Sequence, residues 1–333
     1  PWFEISTLAA SSRSSGKRYI DAVSDRWSMD ADVPSRVGDL IVYDAVKDAK
    51  KIVSEVDFVF CAVDMKKEEV KNLEEMYAKL ECPVISNNSA NREMYDVPMI
   101  IPEINYNHMD IIKYQKIRLN TKRGFIAVKS NCSLQSYVPA IHPLMDLRVN
   151  KILACTYQAI SGAGRTFKTW PEMVDNIIPF ISGEEEKSEI EPLKIWGHIA
   201  NGKIINADNI SITSQCFRVP ISDGHTAAVF ASFDKKIDIS DIIYRWENYK
   251  SEPQRLSLPS APKKFLHYFS EENLPQIKLQ RNLENGMAVS IGRLRKDSQY
   301  DIKFVCMSHN TIRGAAGGAI LMAELLLAHG YMD

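Results

Sequence analysis

The sequence predicts an α/β protein in two parts, a doubly wound parallel sheet followed by an α+β domain with a mostly antiparallel sheet. Three observations predict it. The 333 residues exceed one ordinary core and suggest about two domains at roughly 150 residues each. Up to about residue 130, short apolar runs alternate with charged amphipathic stretches, the mark of strand–helix repetition. Beyond about residue 149 the strand candidates lengthen and helices become few.

The elements follow in order. WFEISTLA (2–9) is strand-like, and DFVFCAV (57–63) is apolar on both faces, as a strand inside a parallel sheet should be. MKKEEVKNLEEMYAKL then reads as an amphipathic helix, PVIS as a short strand, YNHMDIIKYQKIRL as a helix and GFIAV as a strand. Ligands of such sheets bind at the carboxyl ends of the strands, where SNN and SNC both fall. VNKILACTYQAI, DNISITSQCFRV, HTAAVFASF, GMAVSIGRLR and YDIKFVCMS supply the second sheet. GAAGGAILMAELLLAHG closes the chain as a helix capped at Gly330.

Composition narrows the function. Hydrophobic residues at 45% and charged residues at 25% are globular usage. With Lys+Arg 41 against Asp+Glu 42, the net charge of −1 points to neither nucleic acid nor an anionic membrane as partner. No apolar run reaches the ~18 residues of a membrane span; the longest, AILMAELLLA, is broken by Glu324. Six scattered cysteines without a C-x-x-C pair fit a reducing cytoplasm and no structural zinc, most of them serving as small core residues.

Cys132 is set apart by its neighbours. SNCS (130–133) leaves a strand and opens a stretch with Leu134, Val138, Ile141 and Met145 at helical spacing. A cysteine at a helix N-terminus meets free N–H groups and the macrodipole, which favour a thiolate nucleophile, and the same N–H groups could receive an oxyanion. A buried core cysteine is the competing reading. Arg218 ends an apolar strand face with Ile210, Ile212 and Cys216, where it needs a partner such as a substrate carboxylate. His225, on one face with Ala227, Val229 and Ala231, is either a structural histidine or a general acid/base for Cys132. YQAISGAG (157–164) leaves a strand for a glycine turn; GEEEKSEIEPLKIWG (183–197) reads as a solvated helix with Glu184 and Lys187 one turn apart. GAAGG (314–318) suits close packing or a dinucleotide contact, and the Ser/Arg cluster of ASSRSSGK suits a 2′-phosphate.

SNCS, YQAISGAG, GEEEKSEIEPLKIWG, RVPISDGH, PSAPKKFLHYF, GMAVSIGRLRKD and SHNTIRGAAGG together resemble the aspartate-semialdehyde dehydrogenases, in particular their archaeal and fungal-like branch. The resemblance covers nearly the whole chain. It implies a Rossmann-like doubly wound NADP-binding domain of residues 1–131 and 311–333, and a catalytic and dimerisation domain of residues 132–310. It implies Cys132 as nucleophile, His225 as acid/base and Gln158 as the residue orienting substrate. Arg218 and Glu184 would hold the substrate's carboxylate and amino group, and Arg92, Asn131 and Lys187 its phosphate. Ser12, Arg13 and Ser14 would receive the 2′-phosphate, with Ser161, Gly162, Asn310 and Gly318 as further cofactor contacts.

The reaction so implied is reductive dephosphorylation of 4-phospho-L-aspartate through a cysteine thioester, in lysine, threonine and methionine biosynthesis, by a cytoplasmic homodimer or homotetramer that needs no metal. One departure stands out. The family's GATGxVG-type loop and its β–α unit, which precede a stretch like HPWFE, are absent from a sequence starting at PWFE, and omission of roughly 30 residues or slightly more is the expectation. The alternatives are a malonyl-CoA reductase on the same scaffold and a truncated, non-catalytic oligomeric homologue.

Overall fold

The structure, a computed structural model, describes residues 2–25, 27, 29 and 31–333. Pro1, on which the omission of a β–α unit was anchored, lies outside the described residues. The strand expected over WFEISTLA is confined to β1 (Leu8–Ala10), which pairs in parallel with β2 (Val42–Asp44) across α1 (Tyr19–Val23) and α2 (Ser35–Gly38). After α3 (Ala49–Val53) come β3 (Val59–Cys61), α4 (Lys67–Lys79), β4 (Val84–Ser86), β5 (Met99–Ile100), α5 (Ile112–Leu119) and β6 (Ile126–Lys129). These strands make a second parallel sheet in the order β3-β4-β6-β5. The parallel part is therefore two separately hydrogen-bonded sheets, and no described strand joins β1 to β3.

The second part begins with α6 (Leu134–Ile141) and β7 (Val149–Gln158). It continues through α7 (Glu184–Ile195), the hairpin β8 (His198–Ala200) and β9 (Lys203–Ile205), β10 (Ser211–Arg218) and β11 (His225–Phe233). Then follow α8 (Ile239–Glu247), α9 (Glu252–Arg255), β12 (Leu266–Phe269), α10 (Ile277–Gln280), β13 (Val289–Lys296) and β14 (Ile302–Ser308), with α11 (Gly317–Ala328) last. The sheet runs β10-β7-β11-β14-β13-β12. Its inner pairs are antiparallel and both edge pairs, β10 with β7 and β12 with β13, are parallel.

Two helices tie the parts together. Every residue of α6 is buried, because it touches β-sheet residues such as Val229 and Phe304 on one side and Val128 on the other. A helix enclosed on all sides must be apolar or have its polar groups paired: Leu134, Val138, Ala140 and Ile141 are apolar, while Gln135 donates to Ser130 Oγ and Ser136 to the Ser133 carbonyl. α11 returns to the first sheet and packs Leu321, Met322 and Leu325 on Ile85, Ile100 and Ala127. Glu324, the one charge in that apolar run, is buried and accepts both the Ser260 N–H and hydroxyl. No helix of the described residues is long and apolar enough to cross a membrane.

Candidate active site

Sheet topology brings the chemistry together. β7 and β10 are parallel, with Gln158 opposite Arg218, so both carboxyl ends finish side by side. β11 runs the other way beside β7 and starts there with His225. The carboxyl end of β6 delivers Cys132 to the same place, and α7 begins there at Glu184 because Gly183 takes a left-handed φ of 70° before it. Cys132 Sγ lies 3.4 Å from His225 Nε2.

The imidazole is held in one tautomer. His225 Nδ1 accepts the Ala159 N–H at 3.1 Å, so the neutral ring carries its proton on Nε2, facing the sulfur. Burial, reinforced by the Arg218 charge, lowers His225 to about 3 and keeps it neutral. The thiol departs from the sequence reading. Cys132 sits in the turn before α6, yet burial and then the Glu184 carboxylate push its pKa up, against the pull of Lys129, Arg92 and Arg218. That direction favours the thiol over the thiolate before substrate is bound. The helix start is also less open to an oxyanion than expected, because Ser133 N–H is already given to Asn131 Oδ1 at 2.7 Å.

Charged side chains surround this pair. Glu184, 8% exposed, accepts from Asn131 Nδ2 on both oxygens, from Gln158 Nε2 at 3.2 Å and from Lys187 Nζ at 2.9 Å. Burial works to raise its carboxyl, but Lys187, Gln158 and Asn131 together hold it below the usual range. Arg218 is buried and donates to the Ala159 carbonyl at 2.6 Å, with no carboxylate in ion-pair contact among the described residues. That leaves most of its fork free for an anion. Arg92 is more committed: it donates to the Lys129 and Asn87 carbonyls and pairs with Glu191 at 3.0 Å.

A cleft of about 330 Å³ opens over these groups. Arg92, Asn131, Cys132, Ser161, Gly162, Glu184, Lys187 and Asn310 line it, with Asn87, Thr311 and Gly314 among the others. Gln158, Arg218 and His225 support its floor. Two features suit a nicotinamide. A Cβ on Gly162 would stand 2.9 Å from Arg218 Nη1 and 3.1 Å from the His225 ring, so only glycine lets this wall close in. Asn87 Oδ1 is buried without a partner. Asn310 ties the wall together, donating to Ser161 Oγ and accepting the Gly224 N–H.

Not every expected residue gathers here. Ser12, Arg13 and Ser14 form an accessible turn after β1 and line no part of the cleft. Gly318 lies outside it too, and its place is explained by packing: a Cβ there would meet the Arg313 carbonyl at 2.5 Å and Lys129 Cε at 2.8 Å. Sequence reasoning missed Glu191, which accepts Asn131 N–H at 2.7 Å as well as pairing with Arg92. Its signal was the spacing of Glu184, Ser188, Glu191 and Ile195, all buried, which marks the inner face of α7. It also missed Lys129.

The chain matches two family models, the semialdehyde dehydrogenase NAD-binding domain over residues 1–112 and the semialdehyde dehydrogenase dimerisation domain over residues 141–313. It is 39% identical over 329 residues to the aspartate-semialdehyde dehydrogenase of Methanothermobacter thermautotrophicus, covering 98% of this chain and 92% of the relative. To that of Schizosaccharomyces pombe it is 39% identical over 340 residues, covering 100% and 93%. The crystal structure of Candida albicans aspartate-semialdehyde dehydrogenase with NADP superposes with a TM-score of 0.88 at 34% identity, covering 99% of this chain and 93% of that one.

Proposed function

Since the chain belongs to the aspartate-semialdehyde dehydrogenase family, we propose that it performs the NADP-dependent reductive dephosphorylation of 4-phospho-L-aspartate to L-aspartate 4-semialdehyde, in lysine, threonine and methionine biosynthesis. The observation that carries this reading is the Cys132–His225 contact of 3.4 Å beside a buried carboxylate, Glu184, and a buried arginine, Arg218, that has no carboxylate in ion-pair contact among the described residues. An α-amino acid has the opposite pair of charges to offer. Malonyl-CoA has no ammonium for Glu184, so the same contacts favour the amino-acid substrate.

In this reading Arg218 takes the substrate carboxylate, Glu184 its ammonium, and Gln158 orients the reacting carbonyl. Cys132 Sγ attacks that carbon to form a thioester, and the thiol proton leaves with the phosphate. Lys187 and the unused N–H groups of Arg92 receive the phosphate, while Asn131 holds Glu184 and the Cys132 turn in place. NADPH, when bound, supplies the hydride. His225 would donate its Nε2–H hydrogen bond to the oxygen of the reduced carbon as negative charge gathers there, and collapse of that tetrahedral adduct would return the aldehyde and the Cys132 thiolate, which regains its proton from solvent.

The cofactor positions follow the same reading. Ser12, Arg13 and Ser14 would meet the 2′-phosphate, and Ser161, Gly162 and Asn310 the nicotinamide side. Gly318 would contribute by letting α11 approach. Residues 1–131 with 311–333 then form the nucleotide-binding part, and 132–310 the catalytic part. The dimerisation-domain match and the face of the large sheet that shows Phe217 stacked on Tyr157 support a homodimer, or a pair of them. Six free cysteines fit a reducing cytoplasm.

The test is direct. Cys132→Ala should abolish phosphate-dependent NADP reduction with aspartate semialdehyde while leaving the fold intact by circular dichroism. Turnover retained in that variant overturns the assignment.

A further inference from the structure

We propose that Lys129 is a positioning residue for the nucleophile, a buried cation beneath the Cys132 turn whose charge stabilises the thiolate as it forms. Lys129 is the last residue of β6, three before Cys132, and is 2% exposed. A lysine so enclosed ordinarily pairs with a carboxylate. Among the described residues none lies in ion-pair contact with its Nζ, which donates to the Ser130 carbonyl at 3.2 Å.

The chain builds a niche for it. The stem of Lys129 fits against the start of α11, where Gly318 leaves the space a Cβ would take, 2.8 Å from Lys129 Cε. Gly314, in the π-helical turn Ile312–Ala316 just before, does the same for the nucleophile: a Cβ there would stand 2.8 Å from Cys132 Cβ. One turn of chain thus presses on both residues. The charged and titratable groups that act on the lysine most strongly are Cys132 in the turn after β6, Arg92 in the loop after β4, Arg313 in the π turn and Glu191 on α7.

Arg92 is paired with Glu191 and Arg313 with Glu103, so their charges are largely answered. Lys129 has no carboxylate in ion-pair contact among the described residues, Glu191 acts on it from farther off and is already paired, and the thiolate is the anion nearest in role. Burial lowers its ammonium, with Arg92 and Arg313 adding to the fall and Cys132 opposing it, so a thiolate forming at Cys132 favours the charged lysine and the charged lysine favours the thiolate.

The inference rests on Cys132 as nucleophile, but the two fail differently: that reading fails by turnover in Cys132→Ala, this one by the titration of the thiol. Alkylation of Cys132 by iodoacetamide, followed on its own peptide by mass spectrometry across pH 6 to 10, is compared in the wild type, K129M and K129R. K129M should raise the midpoint by about one pH unit and slow alkylation at neutral pH about tenfold. Its kcat should fall while KM for aspartate semialdehyde moves less than about twofold, and K129R should recover both. An unchanged midpoint in a K129M that melts like the wild type overturns the proposal. Should K129M not fold, K129R decides: its permanent charge must keep the midpoint at or below the wild-type value, and a rise of about one unit overturns the proposal.

Discussion

Glu184 shows how one residue can serve binding at the expense of resting reactivity. Its carboxylate gathers Asn131, Gln158 and Lys187 around the place for a substrate ammonium, and the same charge pushes the nearby thiol up. The two effects should separate in Glu184→Gln. Alkylation of Cys132 at pH 7 should quicken several-fold, since one of the groups opposing the thiolate is gone. Turnover should fall at least about tenfold, because an unpaired ammonium is costly in a buried site. Alkylation and turnover falling together would contradict this division. Cys132, His225 and Arg218 were legible as residue types at strand and helix ends. The protonation of the pair was not, because it depends on burial and on Glu184, which lies far along the chain.

α7 was read as a solvated charged helix, and its charges turn out to be occupied. Glu185 accepts the Cys216 N–H at 3.1 Å and Glu189 the Ser214 N–H at 3.0 Å. β10 is an edge strand, and these carboxylates take donors that a neighbouring strand would otherwise pair with. Replacing Glu185 or Glu189 by Ala should each cost about 1 kcal/mol, read as a melting midpoint lowered by about 2–4 °C with little loss of turnover. The π turn before α11 makes the opposite kind of prediction. Gly314→Ala should cut turnover at least about tenfold, far more than its lowered melting midpoint explains, because its Cβ must displace Cys132. Charge spacing marked α7 and strong helix formers marked α11, while the π turn had no such signal; neither kind of signal says which partner a given face will meet.

At the scale of the molecule, histidines that burial keeps neutral set an acid limit, His142 and His225 most strongly. Burial lowers His142 to about 4, and burial with Arg218 lowers His225 to about 3, so both are neutral in the folded chain near pH 6. The unfolded chain takes up these protons near pH 6.5, so stability is full above that value and declines as pH falls towards 4 and then 3. Each histidine adds up to about 1.4 kcal/mol per pH unit to the decline. Melting midpoints between pH 7 and 4.5 should show the slope, and His142→Leu should flatten it; an equal slope in that variant refutes the contribution. His142 itself has an unpartnered Nδ1 and packs edge-on to Tyr249, which gives its charged form no compensation.

The sequence by itself determined the strand–helix repetition of the first part, the long strands of the second and the set of residues at their ends. Period-two and period-3.6 patterns record which face is buried, and that record is local. Only the tertiary structure decided what each buried face meets. It divided the parallel strands between two sheets, returned α11 to the first of them, tied Arg92 to Glu191 across 99 residues and Arg313 to Glu103 across 210. It also buried Lys129 three residues before Cys132, with no carboxylate in ion-pair contact among the described residues. These contacts join distant segments, and their energies come from burial and pairing that exist only after the chain has closed on itself.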